Sequence, residues 1–414
     1  MMRFGGFAVG FAALGLGCGT SPAPADPAAA LHESAIVIDG HSDTTPWFQD
    51  PEWDFTELHE DGHQDLPRMH AGGLDAQFWS IYLPDTPGDG RAVKLALARI
   101  DAVHELVRRH PEEIGLATTA ADVRRIVGEG RMASLMGLEG GHMIEDDLSI
   151  LRTYHALGVR YMTLTHSFHT NWADSSGTSE VPEPVHDGLT PFGEDVVREM
   201  NRLGMLVDIS HVADATFWDT LAVTRAPVIA SHSSVRSVAD HPRNLTDDML
   251  RALGENGGVA MLNFYPGYID PRAVEPLREF MLEIRPEISA LYESLADDPI
   301  ARRRAVSALF RQARAERELP RAPLEVLLDH FDRAIAVAGP DHVGLGADWD
   351  GVPSMPEGLE DVSQLPTLTR GLLARGHSEE VVRKVLGENL LRVLASAETV
   401  SQRDNVKRDG LSKF

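Results

Sequence analysis

Short apolar runs alternate with longer amphipathic stretches from about residue 35 onwards. Eight runs have the length and the Val, Ile, Leu and Met content of buried strands: residues 35–39, 76–83, 132–138, 160–165, 205–210, 227–231, 258–264 and 342–347. Near-continuous apolar runs are expected when both faces of a strand are covered, and strands that alternate with helices form parallel sheets. The pattern predicts an α/β fold, a closed (β/α)8 barrel of the TIM type.

Boundary signals mark three of the intervening helices. Each begins after a serine or threonine that can cap the first turn, with acidic residues or a proline directly behind it. The predicted starts are Thr190-Pro191, Thr246-Asp247-Asp248 and Ser378-Glu379-Glu380, and the first two helices are expected to end near Gly204 and at Gly254. Such helices supply the crossovers that parallel strands need.

Two connections are longer than a barrel requires, namely 166–189 after the fourth run and 265 to about 321 after the seventh. Both leave from the carboxyl ends of predicted strands, so we expect them to form substrate walls or a lid. The second contains helix-like segments at 278–285 and 302–318. Their charged residues are most simply explained as helix faces exposed to solvent.

The first 18 residues predict an export signal. A basic start precedes the apolar stretch FAVGFAALGLG, and Cys18 follows. The segment resembles a bacterial lipoprotein signal, although Gly15 departs from the usual pattern, and an ordinary signal peptide is the alternative. We expect an exported protein of the bacterial cell envelope or periplasm, which touches the membrane only through a possible lipid on Cys18.

The remainder of the chain is expected to form one catalytic domain. The whole chain has 414 residues, 43% of them apolar, which suffices for a single barrel with insertions. The predicted division is a signal segment at 1–18, a flexible linker at 19–30, the barrel at 31–397 and a polar tail at 398–414 that is ordered only by docking.

Composition limits the partners and the chemistry. The formal net charge of −25 argues against nucleic acid as a partner and is most simply explained by solubility. A single cysteine excludes an intrachain disulfide and a cysteine ligand in the barrel. None of the four lysines ends a predicted strand. A metal in this barrel must therefore be held by histidines and carboxylates.

Such side chains follow several of the apolar runs. They are His41, Asp43, Glu139, His211 and His232. The carboxyl ends of barrel strands meet at one rim, where catalytic groups collect. Residues two apart on a strand point to the same side, so both ligands after the first strand can reach one ion. Five ligands are too many for one zinc ion and suit two.

Glu139 is the predicted bridge between the two ions, because no lysine is placed to take that role. We expect His41, Asp43 and Glu139 on one ion, and Glu139, His211 and His232 on the other, with a hydroxide of lowered pKa between the ions. Histidines elsewhere in polar loops or helices are treated as background: His59, His63, His104, His110 and His377.

Three further residues are candidates for handling substrate. Asp348 follows the eighth run and is either a sixth ligand or a proton shuttle; because the ligand set is already complete, we favour the shuttle. His166 follows the fourth run and could face a developing oxyanion. Arg243 could bind a substrate carboxylate through two hydrogen bonds. A helix-capping role fits Asp350 better than Asp348.

Taken together, these motifs resemble the membrane dipeptidase (renal dipeptidase) family of the amidohydrolase superfamily. The resemblance covers about residues 35–396, with the motifs in the family's order. They are DGHSD at 39–43, LEGG at 138–141, TLTHS at 163–167, DISH at 208–211, ASHSS at 230–234, Arg243-Asn244 and HVGLGAD at 342–348.

The resemblance implies a binuclear zinc site made of the five ligands above, with Glu139 bridging. It also implies that His166 and Arg243 bind the substrate's carbonyl and terminal carboxylate, and that Asp348 transfers the proton. Related members cleave small dipeptides, often with a D-residue at the C-terminal position. Mammalian relatives are disulfide-linked and lipid-anchored at the C-terminus; neither property is implied here, and a noncovalent homodimer stays open.

We therefore interpret the chain as an exported zinc dipeptidase in which a metal-bridging hydroxide attacks the peptide carbonyl. One alternative is another amidohydrolase activity, on an N-acyl amino acid or a lactone, which the fold cannot exclude. The other is a zinc-holding envelope lipoprotein without turnover. Asp348 beside a full ligand set argues against the latter, because a binding protein needs no proton shuttle.

Overall fold

The computed structural model describes residues 26–83, 91–178 and 180–411, with backbone alone for 404–411. It contains nine parallel strands in this part of the chain. They are β1 (Ile38–Ser42), β2 (Ala76–Tyr82), β3 (Ile114–Leu116), β4 (Met132–Glu139), β5 (Val159–Thr163), β6 (Leu206–Asp208), β7 (Ile229–Ala230), β8 (Val259–Leu262) and β9 (Val343–Leu345).

Eight of these strands close into a parallel barrel. The pairing order runs β2-β1-β9-β8-β7-β6-β5-β4, and β2 pairs with β4 to complete the circle. Strand β3 was not predicted from the sequence; it pairs with residues 132–134 at the start of β4, whereas β5 pairs with 136–139. The predicted (β/α)8 barrel is confirmed, with all eight predicted runs contributing its strands.

The first strand begins later than its apolar run suggests. The run covers 35–39, but β1 spans Ile38–Ser42 and therefore carries His41 within the strand. Its register against β2 shifts between Asp39 and Ser42. Residues 36 and 37 precede the strand, and the backbone of Val37 accepts hydrogen bonds from residues 75 and 76 instead.

Fifteen α-helices surround the barrel in the described residues. They are α1 (Pro27–Ser34), α2 (Leu66–Ala71), α3 (Arg91–Arg109), α4 (Ala120–Gly128), α5 (Leu148–Ala156), α6 (Pro191–Leu203), α7 (Asp214–Val223), α8 (Asp247–Asn256), α9 (Pro266–Ile269), α10 (Val274–Ser294), α11 (Pro299–Glu316), α12 (Leu324–Ala338), α13 (Leu365–Ala374), α14 (Glu379–Arg383) and α15 (Asn389–Leu411). None of these described helices is long and apolar enough to cross a membrane.

The predicted helix starts are confirmed by their caps. The side chains of Thr190, Thr246 and Ser378 each accept a hydrogen bond from a backbone N–H of the first turn. The predicted end of α8 at Gly254 is wrong. The helix continues to Asn256 and stops at Gly257, whose positive φ of 83° is the left-handed conformation that glycine adopts readily.

Two layers of apolar packing hold the barrel. One cluster joins strand residues such as Phe78, Leu135 and Tyr161 to the buried face of α15, and the larger cluster fills the space between strands and surrounding helices. Helix α15 runs across the predicted boundary between residues 397 and 398, and Ser401 donates a hydrogen bond to the Arg202 carbonyl.

At the other end of the chain, α1 begins at Pro27, inside the segment predicted as a flexible linker at 19–30. The predicted signal segment, Cys18 included, lies outside the described residues. The domain division therefore stays a prediction.

The second long connection forms α9, α10 and α11, as its helix-like segments predicted. The expectation that all its charges are solvated is wrong for two arginines of α11. Arg302 is only 8% exposed, and Arg303 is half-buried with its guanidinium over the Trp47 ring. Their neighbours Arg304 and Arg311 are exposed and form ion pairs, as expected for a solvated face.

Candidate metal centre

The five predicted ligands converge at one rim of the barrel. His41 and Glu139 are the fourth and last residues of β1 and β4, and Asp43, His211 and His232 follow their strands within three residues. Because parallel strands present their carboxyl ends to the same rim, side chains distant in sequence meet there. His41, Glu139, His211 and His232 are each at most 4% exposed.

Glu139 lies at the centre of the cluster, with its two carboxylate oxygens turned to different histidines. Oε2 is 3.3 Å from Nε2 of His41, whereas Oε1 is 3.3 Å from Nε2 of His211 and 3.4 Å from Nε2 of His232. One oxygen therefore faces His41 of β1, and the other faces the two histidines that follow β6 and β7. This is the arrangement that a carboxylate bridging two ions requires.

Asp43 and Asp348 complete the β1 side of the cluster. Asp43 Oδ2 is 3.7 Å from Nε2 of His41, and the ligand atoms of Asp43, His41 and Asp348 lie within 4.8 Å of one another. Asn263 donates a 2.9 Å hydrogen bond to Asp348 Oδ2. Gly351 packs so closely that a Cβ atom there would clash with both carboxylates, so a side chain at this position would displace them.

A tyrosine that the sequence does not mark as a site residue contacts the ring of His41 on the side away from Glu139. Nδ1 of His41 is 2.8 Å from the hydroxyl of Tyr161 on β5. The Tyr161 ring occupies the space beside Gly137 of β4, where any Cβ atom would overlap it. A hydrogen bond at one ring nitrogen orients the imidazole and leaves the other nitrogen for a metal.

A second network supports His232. The Ser231 hydroxyl is 2.7 Å from Nδ1 of His232 and donates to Asp208 Oδ2 at 2.6 Å. Asp208 also accepts the backbone N–H of Ser231 and of Ser210, so its carboxylate is fixed. These contacts orient the imidazole before any ion binds. The motifs DISH and ASHSS therefore contribute supporting residues as well as predicted ligands.

Two residues of the site have the left-handed backbone conformation that side chains other than glycine rarely adopt. The φ angles are 64° for His211 and 67° for Asp348. Both residues lie three positions after the end of a short strand, where the unusual turn redirects the chain at the rim. Such strained conformations cluster at active sites, because the surrounding structure must hold them.

Burial and neighbouring charges together shift the pKa values of the ligands. Burial lowers the pKa of His211 and of His232 well below the usual value, which favours the neutral imidazole that binds metals. Burial opposes ionisation of Glu139, yet His41 and hydrogen bonds from His211 and His232 hold the pKa of Glu139 well below its usual value. Burial raises the pKa of Asp348 to about 7; His41 opposes this shift and Asp43 adds to it.

The donor set fits zinc. Nε2 of His41 is buried and has no hydrogen-bond partner among the described residues, although Nδ1 of the same ring does. An orphaned imidazole nitrogen is costly unless a metal takes its lone pair. The three predicted histidine ligands and two carboxylates, without cysteine, match the ligands of catalytic zinc. As zinc ligands, the five residues remain predictions.

His166 lies closer to the ligands than its predicted role implies. Its Nε2 is 3.7 Å from Glu139 Oε1, its ring packs 4.3 Å from the ring of His211, and Ser167 contacts Nδ1 at 3.0 Å. Burial lowers the pKa of His166 to about 4. A neutral imidazole here can donate to an oxyanion through the ring nitrogen that carries its hydrogen.

The side chain of Arg243 is buried at the rim, next to the segment that follows β7. It is 2% exposed and donates to the Ser233 hydroxyl at 3.3 Å and to the His232 carbonyl at 3.1 Å. The guanidinium also lies 5.4 Å from the Tyr268 ring centre. Within the described residues its Nε has no partner and it forms no ion pair. A buried cation without an anion beside it is suited to bind a carboxylate.

Comparisons with known proteins identify the family of the chain. The family model for membrane dipeptidases, peptidase family M19, matches residues 25–408. Dipeptidase aclJ from Aspergillus oryzae is 37% identical over 397 residues, covering 90% of this chain and 82% of that protein.

Solved structures also resemble the chain over most of its length. The probable dipeptidase PvdM from Pseudomonas aeruginosa is 27% identical with a TM-score of 0.74, and the match covers 90% of this chain and 98% of that one. A metallo peptidase from Rhodobacter sphaeroides, liganded with a phosphinate mimic of the dipeptide L-Ala-D-Ala, is 28% identical with a TM-score of 0.70, covering 88% and 99%.

Proposed function

The chain belongs to the membrane dipeptidase family and is a metal-dependent dipeptidase, and we propose that it works with two zinc ions bridged by Glu139. The observation that carries this proposal is the division of the Glu139 oxygens between His41 and the pair His211 and His232. His41, Asp43 and Glu139 would hold one ion, and Glu139, His211 and His232 would hold the other.

When bound, the zinc ions supply a water of lowered pKa and a Lewis acid for the peptide carbonyl. The protein residues do the positioning. His166 donates to the carbonyl oxygen as negative charge develops there. Asp348, fixed by Asn263, takes a proton from the water and delivers it to the departing amine.

Arg243 selects for a free C-terminal carboxylate. Its guanidinium is buried next to His232, so a carboxylate bound there would place the preceding peptide bond near the metal centre. Burial of both charges makes the pair stronger than it would be in water. A peptide with further residues after the scissile bond would put an amide where the carboxylate belongs. Short substrates, dipeptides above all, are therefore preferred.

We extend the proposal to substrates with a D-residue at the C-terminal position, because the Rhodobacter sphaeroides relative binds a mimic of L-Ala-D-Ala. The test is hydrolysis of matched L-Xaa-L-Xaa, L-Xaa-D-Xaa and N-acyl amino acid substrates by zinc-loaded and chelator-treated protein. Chelator-sensitive cleavage of both dipeptide series supports the proposal. Turnover of N-acyl amino acids alone would replace it with the other amidohydrolase activity.

Export to the bacterial envelope is a separate proposal that rests on the first 18 residues alone. The basic start, the apolar stretch and Cys18 support it. A mass measurement on the N-terminus of the protein from its native cells tests it. A lipid-modified Cys18 as the first residue supports anchoring, whereas an unmodified chain that retains Met1 would contradict export.

A further inference from the structure

A cavity of about 510 Å³ lies beside the metal centre, between α11 and the loops that follow β1 and β9. Its volume is in the range of small-molecule sites. Gly351 lines the cavity and also packs against the carboxylates of Asp43 and Asp348. The cavity therefore adjoins the β1 side of the metal centre, and the inserted helix α11 forms one of its walls.

Arg303 on α11 contributes a guanidinium to that wall of the cavity. Its guanidinium stacks 3.3 Å from the centre of the Trp47 ring, which holds the flat group in one orientation. In the described part of the chain, no carboxylate forms an ion pair with Arg303. Burial lowers its pKa to about 10, so it remains a cation at neutral pH while lacking much of its hydration. An anion in the cavity would compensate that loss.

Other groups around Arg303 also offer hydrogens. Nδ1 of His63 accepts the backbone N–H of Asp350 at 2.9 Å, which leaves its Nε2 as the nitrogen that carries the hydrogen. The hydroxyl of Ser307 lines the same cavity. A wall of donors is complementary to a ligand rich in acceptors, such as a carboxylate.

Five carboxylates line the same cavity, and most of them have partners other than Arg303. Asp61 pairs with Arg311, Glu360 pairs with Arg321, and Glu60 and Glu318 are exposed. Asp350 accepts hydrogen bonds from the Thr44 hydroxyl and the His63 amide, and its negative charge also favours the charged form of Arg303. Among the arginines that line the cavity in the described part of the chain, Arg303 and Arg314 form no ion pair.

The cavity and Arg243 adjoin opposite halves of the metal centre. Arg243 contacts the His232 and Ser233 segment after β7, whereas the cavity touches Asp43 and Asp348 after β1 and β9. A dipeptide whose C-terminal carboxylate meets Arg243 would place its peptide bond at the centre and its N-terminal residue towards the cavity.

We propose that this cavity binds an acidic side chain on the N-terminal residue of the dipeptide, and that Arg303 determines this specificity. The inference rests on the proposed function, whose substrate class it narrows. A glutamate side chain reaches further than an aspartate, and the cavity has room for either. The neutral isostere of glutamate, glutamine, provides the matched comparison.

The test compares kcat/KM for L-Glu-L-Ala and L-Gln-L-Ala in zinc-loaded wild type, Arg303→Met and Arg304→Met. Arg304 is the adjacent residue, exposed and paired with Asp50, so it controls for loss of one positive charge on the same helix. The wild type should prefer L-Glu-L-Ala. Arg303→Met should lower kcat/KM for L-Glu-L-Ala by about 10- to 100-fold, the range for hydrogen bonds to a charged group, and change that for L-Gln-L-Ala by less than about 3-fold.

Arg303→Lys covers the case in which the methionine variant fails to fold. Lysine keeps the positive charge but lacks the planar guanidinium that stacks on Trp47. We therefore expect a decrease in kcat/KM for L-Glu-L-Ala that is smaller than in the methionine variant. Equal kcat/KM of the wild type for the two dipeptides, or equal effects of the Arg303 and Arg304 substitutions, would overturn the proposed subsite. Neither result would contradict the proposed dipeptidase activity. Absence of turnover for both dipeptides with zinc bound would instead count against the proposed function itself.

Discussion

The hydroxyl of Tyr161 lies 2.8 Å from Nδ1 of His41, while Nε2 of the same ring faces Glu139. The two residues are 120 positions apart and meet because β1 and β5 both line the barrel. The contact fixes which nitrogen of His41 is available to a metal. It also explains why residue 137 is a glycine, since a larger residue would occupy the place of the tyrosine ring.

Tyr161→Phe should therefore weaken zinc binding without removing a ligand. Loss of such an outer hydrogen bond typically costs about 10- to 100-fold in metal affinity, because the imidazole is no longer held in orientation. Competition with a chromophoric chelator measures the affinity. Tyr154→Phe is the matched control, since that buried tyrosine donates to the Met143 carbonyl on the outer side of the barrel. Equal affinity in wild type and Tyr161→Phe would show that the contact does not orient the ligand.

Asp348→Asn should lower kcat by about 10²- to 10⁴-fold, the usual contribution of a general acid or base. The amide fills the same space beside Asn263 but cannot carry a proton between water and amine. The zinc content measured on the same sample should match that of the wild type. A loss of zinc together with activity would make Asp348 a sixth ligand, and unchanged turnover would remove it from the mechanism.

Arg243→Met should raise KM far more for free dipeptides than for the corresponding dipeptide amides. The expected difference is about 10- to 100-fold, because only the free carboxylate forms charge-assisted hydrogen bonds with the guanidinium. Steady-state kinetics on the two series measures it, with kcat as an internal check on the metal centre. Parallel increases of KM for acids and amides would contradict recognition of the carboxylate by Arg243.

His330 should make the metal-free protein less stable in acid. Its buried ring accepts the Val235 N–H at Nδ1 and donates to the Ile269 carbonyl at Nε2, which requires the neutral form, and burial lowers its pKa to about 4. Above pH 6.5 the group is neutral in both states. As the pH falls from 6.5 to 4, His330 binds a proton in the unfolded state but stays neutral in the folded state. The free energy of unfolding therefore falls by up to about 1.4 kcal/mol per pH unit.

Urea unfolding at several pH values measures this slope. His330→Gln should flatten it by about one proton between pH 6.5 and 4. His70→Gln, at an exposed position on α2, is the control. An identical slope in wild type and His330→Gln would mean that other groups cause the acid sensitivity.

The barrel and the ligand set could be predicted because both depend on local patterns. Apolar runs of strand length marked all eight barrel strands, and a ligand such as Glu139 could be found because it ends a run whose other residues are mostly apolar. Strand β3 was missed because it contains only two large apolar residues, Ile114 and Leu116, separated by a glycine, and so forms no apolar run like those of the other strands. The end of α8 was misplaced because two glycines, Gly254 and Gly257, stand close together, and only the second adopts a positive φ.

Residues that act through distant partners could not be found in this way. Tyr161 lies in an apolar run and resembles any other core residue until β1 places His41 next to it. Arg303 belongs to a run of three arginines, and only the packing of α11 against Trp47 separates it from its solvated neighbour Arg304. His63 was set aside as background, yet it lines the cavity beside the centre. In each case the decisive information is a contact between segments far apart in sequence.

The central claim is that two zinc ions at Glu139 carry out dipeptide hydrolysis. The most direct measurement is a titration of chelator-stripped protein with zinc, in which bound metal and turnover of a dipeptide such as L-Ala-D-Ala are followed together. The account predicts that two ions bind per chain and that activity is complete only when the second has bound. Full activity with one ion bound, or two bound ions without hydrolysis of any dipeptide, would contradict it.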